Sequence, residues 1–413
     1  MIKKEKIRID KIGDHCTGCG ACSVICHKNA IKMLPNNQGF LKPHIIEEKC
    51  ISCGKCSAIC PAQNKVKRTG RISFHTYAIY QLDSKYTKKS SSGGVFYSLA
   101  KYMIENLHGV VFGAIYTKDH LVEIAKAETM KEVFPMMGSK YVYSNTKKTY
   151  QEVKEELEKK RFVLYSGLPC QIAGLYNYLG KEYENLITIE ILCHGAPSQE
   201  LFSKYLKYLE EYYKKPIQEI RQRDSSEKWN LFITKRIRII FKDKQELVLS
   251  EDFDPYMSLY IREISYNTSC YHCKYTNLER NADITIGDYG GLGLKDKFSR
   301  EIKDGISLVL TNTEKGEKLI HKLSNIYIEK REIEEALLFN TCLTKPTTCP
   351  KRREEFQIDY ENMTYQELFQ KYFEKDIKYK LRAYGKKVII KVIGYKRLGK
   401  IMYQNKITKR KQK

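Results

Sequence analysis

Long apolar runs are missing from the 413 residues, and nothing approaches the ~18 consecutive apolar positions of a spanning helix, which excludes an integral membrane protein. The opening Met1-Ile-Lys-Lys-Glu-Lys6 lacks the apolar stretch of a secretion signal, so the sequence places the protein in the cytoplasm. Acidic residues are absent from residues 378–413, where fourteen Lys or Arg stand without one Asp or Glu. That tail leaves only +10 of the net +24 to the first 377 residues. No nucleic-acid module accompanies the charge, so a biased composition with a basic tail explains it better than a nucleic-acid partner. At 42% hydrophobic and 30% charged residues the chain is ordinary for a globular protein, and its length allows two or three domains at roughly 150 residues each.

Cysteine is abundant, with fourteen in the chain. Disulfides are rare in the cytosol, so clustered cysteines there point to metal ligation or catalysis. Eight fall in two runs, Cys16, Cys19, Cys22, Cys26 and Cys50, Cys53, Cys56, Cys60, each spaced C-x2-C-x2-C-x3-C and offset by 34 residues. In two-cluster ferredoxins three thiolates of such a run wrap one 4Fe-4S cube and the fourth crosses to the other. The spacing therefore assigns Cys16, Cys19, Cys22 and Cys60 to one cluster and Cys50, Cys53, Cys56 and Cys26 to a second. Gly18, Gly20 and Gly54 supply backbone freedom at the turns. Pro61 follows Cys60 as the motif expects; the first run has His27 in that place, which alters the local turn without removing a ligand. Structural zinc would instead close with two C-x2-C pairs across a finger-length loop. Pro35-Asn-Asn-Gln-Gly-Phe40 predicts the tight turn of a short hairpin, residues 62–71 a polar linker, and the head an end near residue 65.

Beyond the linker the pattern alternates. Strands are expected at His75-Thr-Tyr-Ala-Ile-Tyr-Gln81, Gly109-Val-Val-Phe-Gly-Ala-Ile115, Phe162-Val-Leu-Tyr165 and Leu186-Ile-Thr-Ile-Glu-Ile-Leu192. Helices are expected from Ser90-Ser-Ser-Gly-Gly94 to about Leu107, over residues 147–159, from about Gln171, and over residues 198–213. The predicted fold is an α+β ferredoxin-like head followed by an α/β body with a largely parallel sheet. Such sheets bind ligands beyond the carboxyl ends of their strands. Ser166-Gly-Leu-Pro-Cys170-Gln171 and Cys193-His-Gly-Ala-Pro-Ser198 both fall where a strand gives way to a helix, whose dipole favours a thiolate. Ser269-Cys270-Tyr-His-Cys273 adds a C-x2-C, and Asn281-Ala-Asp-Ile-Thr-Ile-Gly-Asp288 is a short strand ending in an acid. Cys170, Cys193, Cys270 and Cys273 thus count to one further 4Fe-4S site. Four small buried residues, or a nucleophilic Cys170 with His194 as base, are the competing readings. Cys342 and Cys349 lack such company and read as structural.

Ser91-Ser-Gly-Gly94, Gly138-Ser-Lys-Tyr141, Gly167-Leu-Pro-Cys-Gln171, Cys193-His-Gly195, Cys270-Tyr-His-Cys273 and Ala282-Asp-Ile-Thr-Ile-Gly-Asp288 follow one another in order. Together they resemble the beta-subunit family of coenzyme F420 hydrogenases and dehydrogenases, over residues 74–360. The resemblance implies a two-cluster ferredoxin domain at 1–65, an N-terminal-type family region at 74–160, a C-terminal-type region at 161–360, and a basic tail at 378–413. It also implies a third cluster on the four body cysteines and FAD near Ser91, Ser92, Gly93, Gly94, Gly138, Ser139, Lys140 and Tyr141. The implied activity is electron transfer between 4Fe-4S clusters, FAD and an organic hydride acceptor or donor, either F420 or an unidentified metabolite, in some members linked to surface-polysaccharide biosynthesis. A flavin converts between one-electron clusters and a two-electron hydride. Implied partners are a ferredoxin or other redox protein and a small-molecule substrate; an electron-carrier subunit with no substrate site is the alternative.

Leu381, Tyr384, Val388, Val392 and Tyr395 recur near helical spacing among lysines. Such a segment suits peripheral docking to an anionic membrane or a partner, or a core-packing terminal helix with a disordered tail after it.

Overall fold

The computed structural model describes residues 7–66, 75–224, 236–300, 305–393 and 395–411; positions 67–71 of the expected linker lie outside these. In the head, Gly20 and Gly54 stand at φ 79° and 70° directly before five-residue helices, Ala21–Ile25 and Lys55–Ile59. The 34-residue repeat of cysteines is thus also a repeat of backbone, because only a residue without Cβ enters the left-handed region freely. Between the helices, β1 (Ile31–Pro35) and β2 (Leu41–Ile45) pair antiparallel from Ile31↔Ile45 to Pro35↔Leu41. The Asn36 side-chain oxygen closes the turn by accepting the N–H groups of Gln38 and Phe40 at 3.1 and 2.9 Å.

The body is built on an eight-stranded sheet. Its strands are β3 (His75–Gln81), β4 (Val110–Tyr116), β5 (Val122–Ala127), β6 (Val163–Gly167), β7 (Leu186–Ile191), β11 (Ile284–Asp288), β12 (Ser307–Thr311) and β13 (Ile326–Arg331). They lie in the order β13-β3-β12-β11-β7-β6-β4-β5. The centre, β11-β7-β6-β4, is parallel, as the alternation of strands and helices requires. The remaining pairings are antiparallel. In the β4 to β5 return, 117–121 is too short for a crossover helix, so the chain can only double back.

Side chains of the central strands alternate between two covered faces, which is why the strands are apolar throughout. Val111 and Leu164 meet Val95, Leu99 and Met103 of helix Val95–Glu105. Phe112, Val163 and Tyr165 meet helices Thr149–Glu158 and Pro169–Leu179. The head docks on this second face, where Cys19 and Ala21 join the same apolar cluster. Gly174, in helix Pro169–Leu179, permits the approach: a Cβ there would stand 3.1 Å from Cys19 Sγ and 3.0 Å from the Tyr150 hydroxyl.

A second sheet, unanticipated from the sequence, packs β8 (Ile217–Asp224), β9 (Arg236–Phe241) and β10 (Glu246–Ser250) antiparallel in the order β10-β9-β8. It shares a core with helices Gln199–Tyr213 and Pro255–Ile261. The chain ends in helices Ile377–Ile393 and Tyr395–Lys411. Core packing is overturned for the apolar stripe of the first: Leu381, Tyr384, Val388 and Val392 are all exposed. Among the described residues no helix is long and apolar enough to cross a membrane.

Candidate functional site

Three cavities lie in a row. The first is in the head, about 20 Å³ in volume, and brings together Cys16, Cys19, Cys22 and Cys60 with Met33, Pro43 and Pro61. Thiols of both runs therefore share one wall, because the pseudo-repeat folds the end of each run against the start of the other. Of the second set, Cys26, Cys50 and Cys56 pack in the same apolar cluster while Cys53 is exposed. Burial pushes the Cys19 thiol up to about 12. Among the described residues no three His, Cys, Asp or Glu side chains close on a point suited to a single ion. Cys16, Cys19, Cys22 and Cys60 line one cavity, and a 4Fe-4S cube takes four thiolates, each on its own iron.

The second cavity, about 30 Å³, gathers Cys170, Cys193, Cys270 and Cys273 from three separate segments of the chain. Cys170 is the second residue of helix Pro169–Leu179, and its Sγ meets the Tyr143 hydroxyl at 3.8 Å. Cys193 lies in the loop after β7, five residues short of Ser198, which caps helix Gln199–Tyr213; it is not at a helix N-terminus as the sequence suggested. Cys270 sits in the short 3-10 turn Thr268–His272 and Cys273 directly follows it. The sequence missed a fifth member: Cys342, read as structural, is buried on the same wall with its Sγ 3.8 Å from His194 Nε2. That placement sets His194 beside Cys342, on the wall of the cavity that Cys170 also lines. Cys349 is exposed.

Two further groups characterise this cavity. The Tyr275 hydroxyl, on its wall, is buried without a hydrogen-bond partner among the described residues. A buried donor without a partner, on a residue of the same wall as four thiols, suits a group that accepts hydrogen bonds. Arg280 lines the cavity too, with its Nε donating to buried Glu190 on β7 and its Nη1 donating to the Tyr275 and Asn277 carbonyls at 2.6 and 3.1 Å.

Gly195 makes the Cys193-His-Gly turn possible. Its φ is 145°, and a Cβ there would run into the Tyr266 ring. Gly195→Ala is expected to cost about 1–3 kcal/mol through overpacking, read as a lower urea midpoint of the intact protein; an unchanged midpoint would show that the ring yields freely.

The third cavity is the largest of these three, about 290 Å³, near the lower end of ligand-pocket volumes. It opens beyond the carboxyl ends of the parallel strands, bounded by Gly167, Ile191 and Asp288. Ser91, Ser92, Gly94, Gly138, Ser139, Lys140 and Tyr141 all line it. Gly93 does not: its N–H donates to Ser307 Oγ at 3.0 Å and its own Cβ position is filled by the backbone of Ile79 and Ser307, so it closes the floor beneath the turn. The Ser139 N–H donates to Ser91 Oγ at 2.5 Å and joins the two predicted segments. Lys140 Nζ donates to the carbonyls of Met136, Met137 and Gly138 at 3.3, 3.1 and 3.3 Å. Burial pushes this ammonium down to about 7. The Arg223–Asp288 ion pair, 2.7 Å, also lines the cavity; Arg223 comes from the unforeseen second sheet and carries no sequence signal.

The walls are shared. Thr17 lines both the head cavity and the body-cysteine cavity. Leu168 and the stretch Cys193, His194, Gly195 and Ala196 line both the body-cysteine cavity and the large one.

Both parts of the chain are similar to known families, the head to an iron-sulfur one and the body to a hydrogenase and dehydrogenase one. Residues 15–64 match the 4Fe-4S dicluster domain, and residues 160–336 match the family described as the C terminus of the coenzyme F420 hydrogenase/dehydrogenase beta subunit. The coenzyme F420-dependent sulfite reductase of Methanocaldococcus jannaschii is 26% identical over 312 residues, which are 74% of this chain and 45% of that protein. The chain therefore spans under half the length of the curated relative it matches. In a solved structure of the F420-reducing NiFe hydrogenase complex from Methanosarcina barkeri, a chain aligns with 72% of this one and 91% of its own length at 16% identity and TM-score 0.42.

Proposed function

We propose that the chain is an iron-sulfur flavoprotein oxidoreductase that moves electrons between two 4Fe-4S clusters in the head, a third in the body, FAD in the large cavity, and an organic hydride acceptor or donor of the F420 type or another metabolite. The observation that carries this reading is the series of three cavities with shared walls. When bound, the clusters exchange single electrons and the flavin exchanges a hydride. The twelve cysteines Cys16 to Cys60, Cys170, Cys193, Cys270 and Cys273 are the ligands in this proposal, with residues 74–160 contributing the turn and loop that hold FAD. Ser91, Ser92, Gly94 and the 138–141 loop form its cradle, and the thiol-lined walls on the other side exclude water. A carrier subunit with no substrate site would leave the 290 Å³ cavity without a role.

The experiment is anaerobic reconstitution with iron, sulfide and FAD, followed by reduction with a low-potential ferredoxin. Bleaching of protein-bound flavin supports the reading, and a protein that takes up clusters yet retains no flavin overturns it.

Lys140 gives this site a pH signature. Its free ammonium loses a proton near pH 7, and an anionic ligand such as the FAD diphosphate binds the protonated form. Affinity for FAD is therefore expected to be constant below pH 7 and to fall about tenfold per pH unit above it, until the pH reaches the lysine's raised value in the complex. Equilibrium titration of flavin-free protein checks this. Lys140→Met should bind weakly with no such slope, and a wild type without the slope would detach Lys140 from the ligand.

A further inference from the structure

The helix Ile377–Ile393 faces the wrong way for a helix that only caps a core. Ile377, Leu381, Tyr384, Val388 and Val392 fall within about 80° of its circumference at 3.6 residues per turn. All five are exposed, between 57% and 77%. The opposite side holds the helix to the body. Ala383 is buried, the Tyr379 ring lies under the Arg262 guanidinium at 4.6 Å, and Lys386 pairs with Asp252 at 3.3 Å. At the N-terminal end Asp376 is fixed by Arg262 and Arg352, 2.9 and 2.8 Å away. The attachment uses polar and small residues together with the edge-on contact of the Tyr384 ring with Phe253, at 5.0 Å between centroids, and leaves Leu381, Val388 and Val392 outward.

Charge identifies what meets it. From residue 378 onward there are fourteen Lys or Arg and no Asp or Glu. Exposed Lys378 and Arg382 border the stripe on one side and half-buried Lys380 on the other. A second copy of this chain would oppose one cationic run to another, a like-charge contact that costs association energy. An apolar stripe bordered by lysines is what an interfacial helix presents to anionic lipid: the stripe enters the boundary of headgroups and acyl chains, and the lysines stay at the phosphates.

We propose that this helix docks the protein on an anionic membrane surface, with Leu381, Val388 and Val392 inserted and the basic residues on lipid phosphate. The proposal is independent of the redox chemistry. It makes the terminal segment a peripheral anchor, apart from the three cavities of head and body.

The test is flotation of the full-length, cluster-loaded protein with vesicles of phosphatidylcholine, with and without phosphatidylglycerol. Binding is expected only to the anionic vesicles and should be lost at high salt. Replacing Lys378, Lys380 and Arg382 with glutamine should lower the partition coefficient on the order of a hundredfold. A triple variant, L381E with V388E and V392E, should abolish flotation while keeping the iron-sulfur absorbance of the wild type, which shows that it folds. Failure to float with anionic vesicles, or equal flotation with neutral ones, would overturn the proposal. So would sedimentation that finds the stripe buried in a dimer which the triple glutamate variant dissolves.

Discussion

Replacing both Cys270 and Cys273 with alanine is expected to remove about four iron atoms per chain and to cut the head off from the large cavity. These two thiols belong to one 3-10 turn and its next residue, whereas Cys170 comes from the first turn of a helix and Cys193 from the loop after β7. Without the turn's two thiols, Cys170 and Cys193 fall short of the four ligands of a cube even with Cys342 added. The head cysteines are untouched, so head clusters should remain reducible by ferredoxin while the flavin no longer bleaches. Cys342 complicates a single replacement, because it lines the same cavity and can stand in for one lost thiolate. Single variants should therefore lose less iron than the double, and adding Cys342→Ala to a single variant should bring it down to the double's level. An unchanged iron content in the double variant would contradict a body cluster.

The second large effect is on stability. Glu190 on β7 and Arg280, in the loop between Cys273 and β11, are 1% and 2% exposed. Glu190 Oε1 also accepts the Thr285 hydroxyl at 2.9 Å. The pair clamps the loop that follows the C-x2-C to the strand that leads into Cys193. Glu190→Ala would leave the guanidinium buried and unpaired, and the loss is expected to be about 3–5 kcal/mol. Replacing both residues with methionine should recover most of it, since no buried charge remains. Urea unfolding of the anaerobic protein reads both. A Glu190→Ala midpoint equal to that of a surface control such as Glu211→Ala would show that water reaches the pair.

What could be read from sequence divides along chain distance. The head was legible because ligand spacing lies within ten residues and the turn chemistry of Gly20, Gly54 and Asn36 is local. The central parallel strands were legible from their apolar runs and the helices between them. The antiparallel flanks β12 and β13 and the separate sheet β8 to β10 were not, because strands of only five to eight residues carry little periodic signal. The site follows the same division. Cys170, Cys193, Cys270 and Cys273 were found by motif, and the large cavity receives seven of the eight residues expected around FAD. Gly93 supports the floor instead. Cys342 and Arg223 reach their cavities through tertiary folding alone: one follows a short helix without a motif, and the other ends a strand of the unforeseen sheet. A partial signal existed for the terminal helix, since its apolar spacing was visible; which side faced outward depended on Arg262 and Asp252, more than a hundred residues earlier.

The most direct measurement counts iron, acid-labile sulfide and flavin per chain in protein purified without oxygen. Three loaded sites and one flavin give about twelve iron atoms, as many sulfides and one FAD, at four irons per cube. About eight iron atoms with no flavin bound, even after FAD is added, would contradict a continuous path through the body and leave the head as the only redox centre.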